Sequence, residues 1–122
     1  TTFGGGALVT AVALKVMEIM ERDGLVQRAG QVGSRARARF WDLASRMPGV
    51  IRDVRGLGLL IGIQLEIPQE KAQQVWSSLL EKGFILNLTY GSTLRLLPPL
   101  NIAERDLEDF TAALEDVLKK VF

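Results

Sequence analysis

Apolar positions recur along this chain with two periods, and the changes of period mark its elements. Leu8, Val9, Val12, Val16, Ile19 and Met20 fall at helical spacing, which predicts a helix from about Ala7 to Arg22, ended by Asp23-Gly24. With Ala13 and Met17 the apolar arc is wider than one core-facing stripe requires. Such a helix is expected to pack on two bodies, one of them outside these residues. A second helix is predicted from Leu25 to Met47, with Leu25, Ala29, Val32, Ala36, Phe40, Leu43 and Met47 inward and Pro48-Gly49 closing it.

The period then shortens. Val50 to Val54 and Leu59 to Leu65 read as strands around a reversal or bulge at Arg55-Gly56-Leu57-Gly58. The glycines there do not make a dinucleotide fingerprint, because no helix follows them and Gly62 comes one residue late. Pro68 opens a helix to about Lys82, with Ala72, Val75, Trp76, Leu79 and Leu80 inward, and Gly83 stops it. Phe84 to Leu88 and Thr93 to Leu97 are predicted as strands around a turn at Thr89-Tyr90-Gly91-Ser92. A last helix spans about Ala103 to Val121, with Leu107, Phe110, Leu114, Val117, Leu118 and Val121 inward. Ala103 cannot cap it, which leaves Asn101 as a candidate cap. The order predicts an α+β fold, with an antiparallel or mixed sheet of three to four strands and helices on one face.

The most informative stretch is Thr93-Leu94-Arg95-Leu96-Leu97-Pro98-Pro99-Leu100. Strand alternation sets Leu94, Leu96 and Pro98 on one side, and Thr93, Arg95 and Leu97 on the other. An arginine among leucines calls for a carboxylate, a phosphate or a strand end open to a cleft. The two prolines cannot donate ladder hydrogen bonds, so they stop the sheet there.

Composition narrows the chemistry. The chain has 122 residues, a formal net charge of +1, no cysteine and no histidine. A disulfide framework, a thiolate or imidazole metal site and a histidine base are therefore excluded for these residues. The near-neutral balance gives no global field for nucleic acid, and no apolar run is long enough for a membrane-spanning helix. Arg28, Arg35, Arg39 and Arg46 form a stripe on the second helix. Without interleaved aromatics it reads as a solvated face with packed stems rather than a nucleic-acid surface. An intracellular, cytoplasmic setting is expected.

Three motifs in order resemble the C-terminal part of a class III aminotransferase, in its acetylornithine and ornithine branch. They are Thr1-Thr2-Phe3-Gly4-Gly5 before a long helix, Asp53-Val54-Arg55-Gly56-Leu57-Gly58-Leu59-Leu60-Ile61-Gly62, and Leu94 to Leu100. The resemblance implies a fold type I enzyme dependent on pyridoxal 5'-phosphate, working as a homodimer with shared active sites. It implies transfer of an amino group from acetylornithine or a related ω-amino compound to 2-oxoglutarate, in arginine biosynthesis. By the same resemblance Thr2 binds the cofactor phosphate in the neighbouring subunit's site, and Thr1 lies near the substrate. Arg95 pairs with a substrate carboxylate or with an acidic residue of the large domain. Residues 1–24 are then the phosphate turn and connecting helix, and residues 25–122 the small domain. The chain departs from the family at Gly6-Ala7, where asparagine and proline are usual. Lys15, Lys71, Lys82, Lys119 and Lys120 do not stand in the context of the cofactor lysine, which the family carries upstream. These residues alone are expected to be inactive. From the residues themselves, a stand-alone module binding a protein partner through its apolar first helix remains the alternative.

Overall fold

The computed structural model describes residues 2–122 and contains helices α1 (Ala7–Arg22), α2 (Leu25–Arg46), α3 (Gln69–Glu81) and α4 (Glu104–Val121). Its strands are β1 (Ile51–Leu57), β2 (Leu60–Leu65), β3 (Asn87–Thr89) and β4 (Thr93–Leu96), joined in one antiparallel sheet of order β1-β2-β4-β3. The fold is α+β, as the element order predicts.

Strand alternation divides the sheet into two unlike faces. Val54, Ile63 and Leu94 sit side by side across β1, β2 and β4, and all three are buried. Ile61 and Leu96 make the next buried pair. Against them lie Phe40 and Leu43 of α2, Val75 and Leu79 of α3, and Leu114 and Leu118 of α4. Phe110 of α4 meets Phe40 and Phe84 edge-on, with ring centroids 5.9 and 5.4 Å apart. The other face carries Asp53, Arg55, Gly62, Gln64 and Arg95, none of them buried.

Helix α2 is seated on the β1–β2 hairpin by backbone contact. A Cβ added at Gly33 would lie 1.9 Å from the carbonyl oxygen of Gly58. Gly58 is the first of two hairpin loop residues and has φ +54°, the left-handed geometry that a tight primed turn demands. Arg37 donates to the same Gly58 carbonyl at 3.0 Å.

The arginine stripe of α2 has a structural use that composition alone did not show. Arg35 forks onto Glu104 at 2.9 and 2.6 Å, Arg39 bonds Glu108, and Arg46 bonds Glu115 at 2.6 Å. Each partner is 69 residues further along the chain. A constant offset means that α2 and α4 run parallel, in register, with ion pairs closing the seam. Arg28 donates instead to the carbonyls of Leu100 and Ile102, holding the approach to α4.

Three boundaries differ from the sequence expectation. Arg55, Gly56 and Leu57 belong to β1, paired with Gly62, Ile61 and Leu60, so the turn shrinks to Gly58-Leu59. Phe84 to Leu86 is not strand. The Trp76 indole donates to the Leu86 carbonyl at 2.8 Å, and the Phe84 N–H goes to Leu79, so these groups serve α3 rather than a ladder. Helix α4 starts at Glu104 with no side-chain cap, so Asn101 does not serve.

Two measurements test this packing. Gly33→Ala must push α2 off the hairpin and is expected to cost about 2–4 kcal/mol in urea unfolding, or to prevent folding. The second is acid stability. Hydrogen bonds from Arg46, then Lys119, hold the Glu115 carboxyl down from 4.5 to about 2, and the bond from Arg35 lowers Glu104. Carboxyls depressed by folding stabilise above their unfolded pKa and lose that contribution as pH falls through the folded value. Urea midpoints are therefore expected to drop between pH 4.5 and about 2, and the drop should be smaller in Glu104→Gln/Glu115→Gln.

Candidate functional site

The open face of the sheet is a grid whose rows follow from strand register. Asp53, Gln64, Thr93 and Thr89 form one row across the four strands. Arg55, Gly62, Arg95 and Asn87 form the next. Beyond it Leu57 faces Leu60, and with Leu97 these leucines stay exposed. They line an apolar groove together with Met20, Val26 and Leu100.

The two arginines of the middle row are in different states. Arg55 donates to Asp53 at 2.8 Å and to Gln64 at 2.9 Å, so its charge is answered within the sheet. Arg95 is exposed and makes one long hydrogen bond, 3.3 Å, to the Asn87 side-chain oxygen. Among the described residues only Arg52 and Arg95, of all the arginines, meet neither a carboxylate nor a backbone carbonyl. Arg52 lies at the irregularity of the edge strand β1. Arg95 lies on an inner strand, between Leu94 and Leu96, both rooted in the core. A guanidinium so placed is held at its base and open at its fork, the arrangement that binds a planar oxyanion.

Thr1 lies outside the described residues. Thr2 is exposed in the turn that precedes α1, where Gly5 has φ +80° and the Gly6 N–H bonds the Phe3 carbonyl at 3.2 Å. Nothing would obstruct a Cβ at Gly5, and no side chain caps α1. The first N–H groups of α1 therefore have no side-chain partner, and Thr2 lies in the turn that leads into them. Both are suited to a phosphate.

Thr2 and Arg95 are not brought together. Every residue from Ala7 to Glu18 is exposed, and no residue of α1 is buried. Leu8, Leu14 and Met17 are largely open, at 79%, 67% and 66% exposure. At 1.5 Å per residue, α1 carries its N-terminus roughly 24 Å along its own axis. The apolar arc of α1 is thus uncovered, as is the leucine end of the sheet. Contiguous exposed apolar surface of this kind marks a place where another body sits.

The five lysines are occupied on the surface. Lys15 pairs with Glu18, Lys82 and Lys120 with Asp116, and Lys119 with Glu115. Lys71 donates to the Val121 carbonyl and lies over the Phe122 ring. Among the described residues no cluster of acidic side chains could hold a metal ion, and no helix is long and apolar enough to cross a membrane.

Comparison with known proteins identifies the family. A family model described as "Aminotransferase class-III" matches residues 1–118. The chain is 34% identical over 122 residues to a mitochondrial ornithine aminotransferase of Oryza sativa subsp. japonica, covering 98% of this chain and 26% of that protein. Among solved structures, it superposes on an acetylornithine aminotransferase from Elizabethkingia anophelis with a TM-score of 0.88 and 31% identity, covering 98% of this chain and 30% of that one. A lysine aminotransferase from M. tuberculosis in the internal aldimine form gives a TM-score of 0.83 and 30% identity over 88% of this chain and 24% of that one. The chain thus spans 24–30% of the length of these three proteins.

Proposed function

This chain belongs to the aminotransferase class-III family, and we propose that it supplies one wall of the active site of a pyridoxal-phosphate-dependent transaminase. The reaction proposed is transfer of the terminal amino group of acetylornithine, or a related ω-amino compound, to 2-oxoglutarate. The observation that carries the reading is Arg95, a core-rooted guanidinium on an uncovered sheet face with no anionic partner.

The proposed roles follow the family resemblance. Residues 1–24 would form the phosphate turn and a connecting helix, and residues 25–122 the small domain. Bound pyridoxal phosphate supplies an electron sink for the carbon that loses or gains the amino group. The Thr2 hydroxyl, with the open N–H groups at the start of α1, would hold its phosphate. By the family resemblance that phosphate would lie in a partner subunit's site, with Thr1 near the substrate there. Arg95 would orient the substrate by pairing with a carboxylate, bidentate and charge-assisted. The reacting carbon would then be held in place, which supplies rate through orientation rather than through proton transfer. The uncovered arc of α1 and the leucine end of the sheet would be closed by the rest of the enzyme, excluding water.

The test is substitution in the full-length protein. Arg95→Lys keeps the charge but loses the fork, and is expected to raise KM for 2-oxoglutarate roughly tenfold or more, with Arg95→Ala worse. The 122-residue chain by itself is expected to show no transaminase turnover. Turnover by that chain, or an Arg95→Ala enzyme with unchanged keto-acid kinetics, would remove the reading.

A further inference from the structure

Gly62 stands in the middle of the row Arg55, Gly62, Arg95, Asn87, and is the one position there without a side chain. Three structural needs commonly place glycine in a strand: a positive φ, a backbone pressed close, or a break in register. None applies here. Gly62 is absent from the residues with positive φ. Its pairing runs unbroken from Arg55 on one side to Arg95 on the other. A Cβ built on it would meet only the Thr93 methyl at 3.5 Å and the Arg55 Cγ at 3.8 Å, both ordinary contacts. The contrast with Gly33 and Gly56 is sharp, since a Cβ there would strike backbone oxygen at 1.9 and 2.0 Å. Glycine inside a strand weakens it, through lost entropy and a missing packing group. Among the described residues that cost meets no demand of the fold at Gly62.

What the missing side chain leaves is a slot on the open face. Its floor is the Gly62 backbone, and the Thr93 methyl and the Arg55 stem form its near walls. Arg55 is not a second anchor, because Asp53 and Gln64 already occupy its guanidinium. On the other flank stands Arg95, opposite Gly62 in the ladder. Its one hydrogen bond runs the other way, to Asn87 on β3.

We propose that Gly62 is a specificity-determining residue, whose absent side chain lets the carboxylate of a dicarboxylic 2-oxo acid lie low on the sheet and reach Arg95. The inference rests on the reading of Arg95 as a carboxylate-binding group. A side chain at Gly62 would lift the ligand off the sheet and lengthen its contact with the guanidinium. The chemistry recognised is a compact carboxylate on a short flexible chain.

The experiment uses the full-length protein and glutarate, a dicarboxylate that cannot react. Calorimetric titration with glutarate is made on wild type, Gly62→Ala, Gly62→Val and Arg95→Ala, alongside thermal unfolding and the KM and kcat for 2-oxoglutarate. Gly62→Ala is expected to melt no lower than wild type, because the added methyl fits the strand. It should nevertheless bind glutarate several-fold more weakly, and Gly62→Val roughly tenfold or more, with the loss in KM rather than kcat. A purely structural glycine would give the opposite pairing, lower melting with unchanged binding. If Arg95→Ala abolishes glutarate binding while Gly62→Ala and a folded Gly62→Val bind as wild type, the Gly62 inference is overturned and the Arg95 reading survives. If Arg95→Ala binds as wild type, both are overturned.

Discussion

Backbone against backbone at Gly33 and Gly58 is the contact on which this domain is set. With no side chain between them, α2 lies directly on the β1–β2 hairpin, and Arg37 bonds the Gly58 carbonyl. That seat orients the rest of α2. Its inward residues cover the sheet, and its arginines reach α4 at a fixed offset of 69 residues. Its N-terminal end carries α1. Exposed ion pairs such as Arg35–Glu104 contribute modestly one at a time. Along a seam already set by Phe40, Phe110 and Leu114 they select a register more than they hold the helices together.

Much of this was legible in the sequence. The helix spans follow from apolar spacing, and the inward faces of α2, α3 and α4 agree with the burial seen. What was illegible depended on partners far along the chain. The arginine stripe reads as a solvated face because nothing local names its partners. Yet the spacing of Arg35, Arg39 and Arg46 repeats in Glu104, Glu108 and Glu115, and a search for matched charge intervals would have found it. The strand at Phe84–Leu86 failed for a related reason. Its residues are apolar enough, but the Trp76 indole takes the Leu86 carbonyl, and β4 ends at Leu96, opposite Leu86, which leaves Phe84 and Ile85 with no ladder partner. Gly56 and Gly58 were read together as a turn, whereas the structure separates them. A Cβ at Gly56 would strike the Leu60 carbonyl, and Gly58 with Leu59 turns the chain.

The candidate site was legible in part. Alternation placed Arg95 opposite Leu94 and Leu96, and the structure keeps that division. The sequence could not supply the neighbours. That Arg55 and Arg95 share a row with Gly62 between them is a property of register, and register comes from the hairpin and from the core-facing residues. The exposure of α1 is the reverse case. Its broad apolar arc is plain in the sequence, and nothing among the described residues covers it.

The two faces of the sheet are therefore mechanically coupled. Each core residue on β2 and β4 fixes the height and direction of its neighbour on the open face, because successive side chains of a strand leave in opposite directions. Leu94 and Leu96 are clamped by the helices, so Arg95 between them has only its own side-chain torsions left to explore. A planar guanidinium on such a base loses little freedom when it meets a carboxylate, whereas the same group on a loop would first have to be ordered. The helices that never touch the open face thereby determine how tightly that face can bind. Loosening the core under Arg95 should weaken an anion there even though every residue of the open face remains.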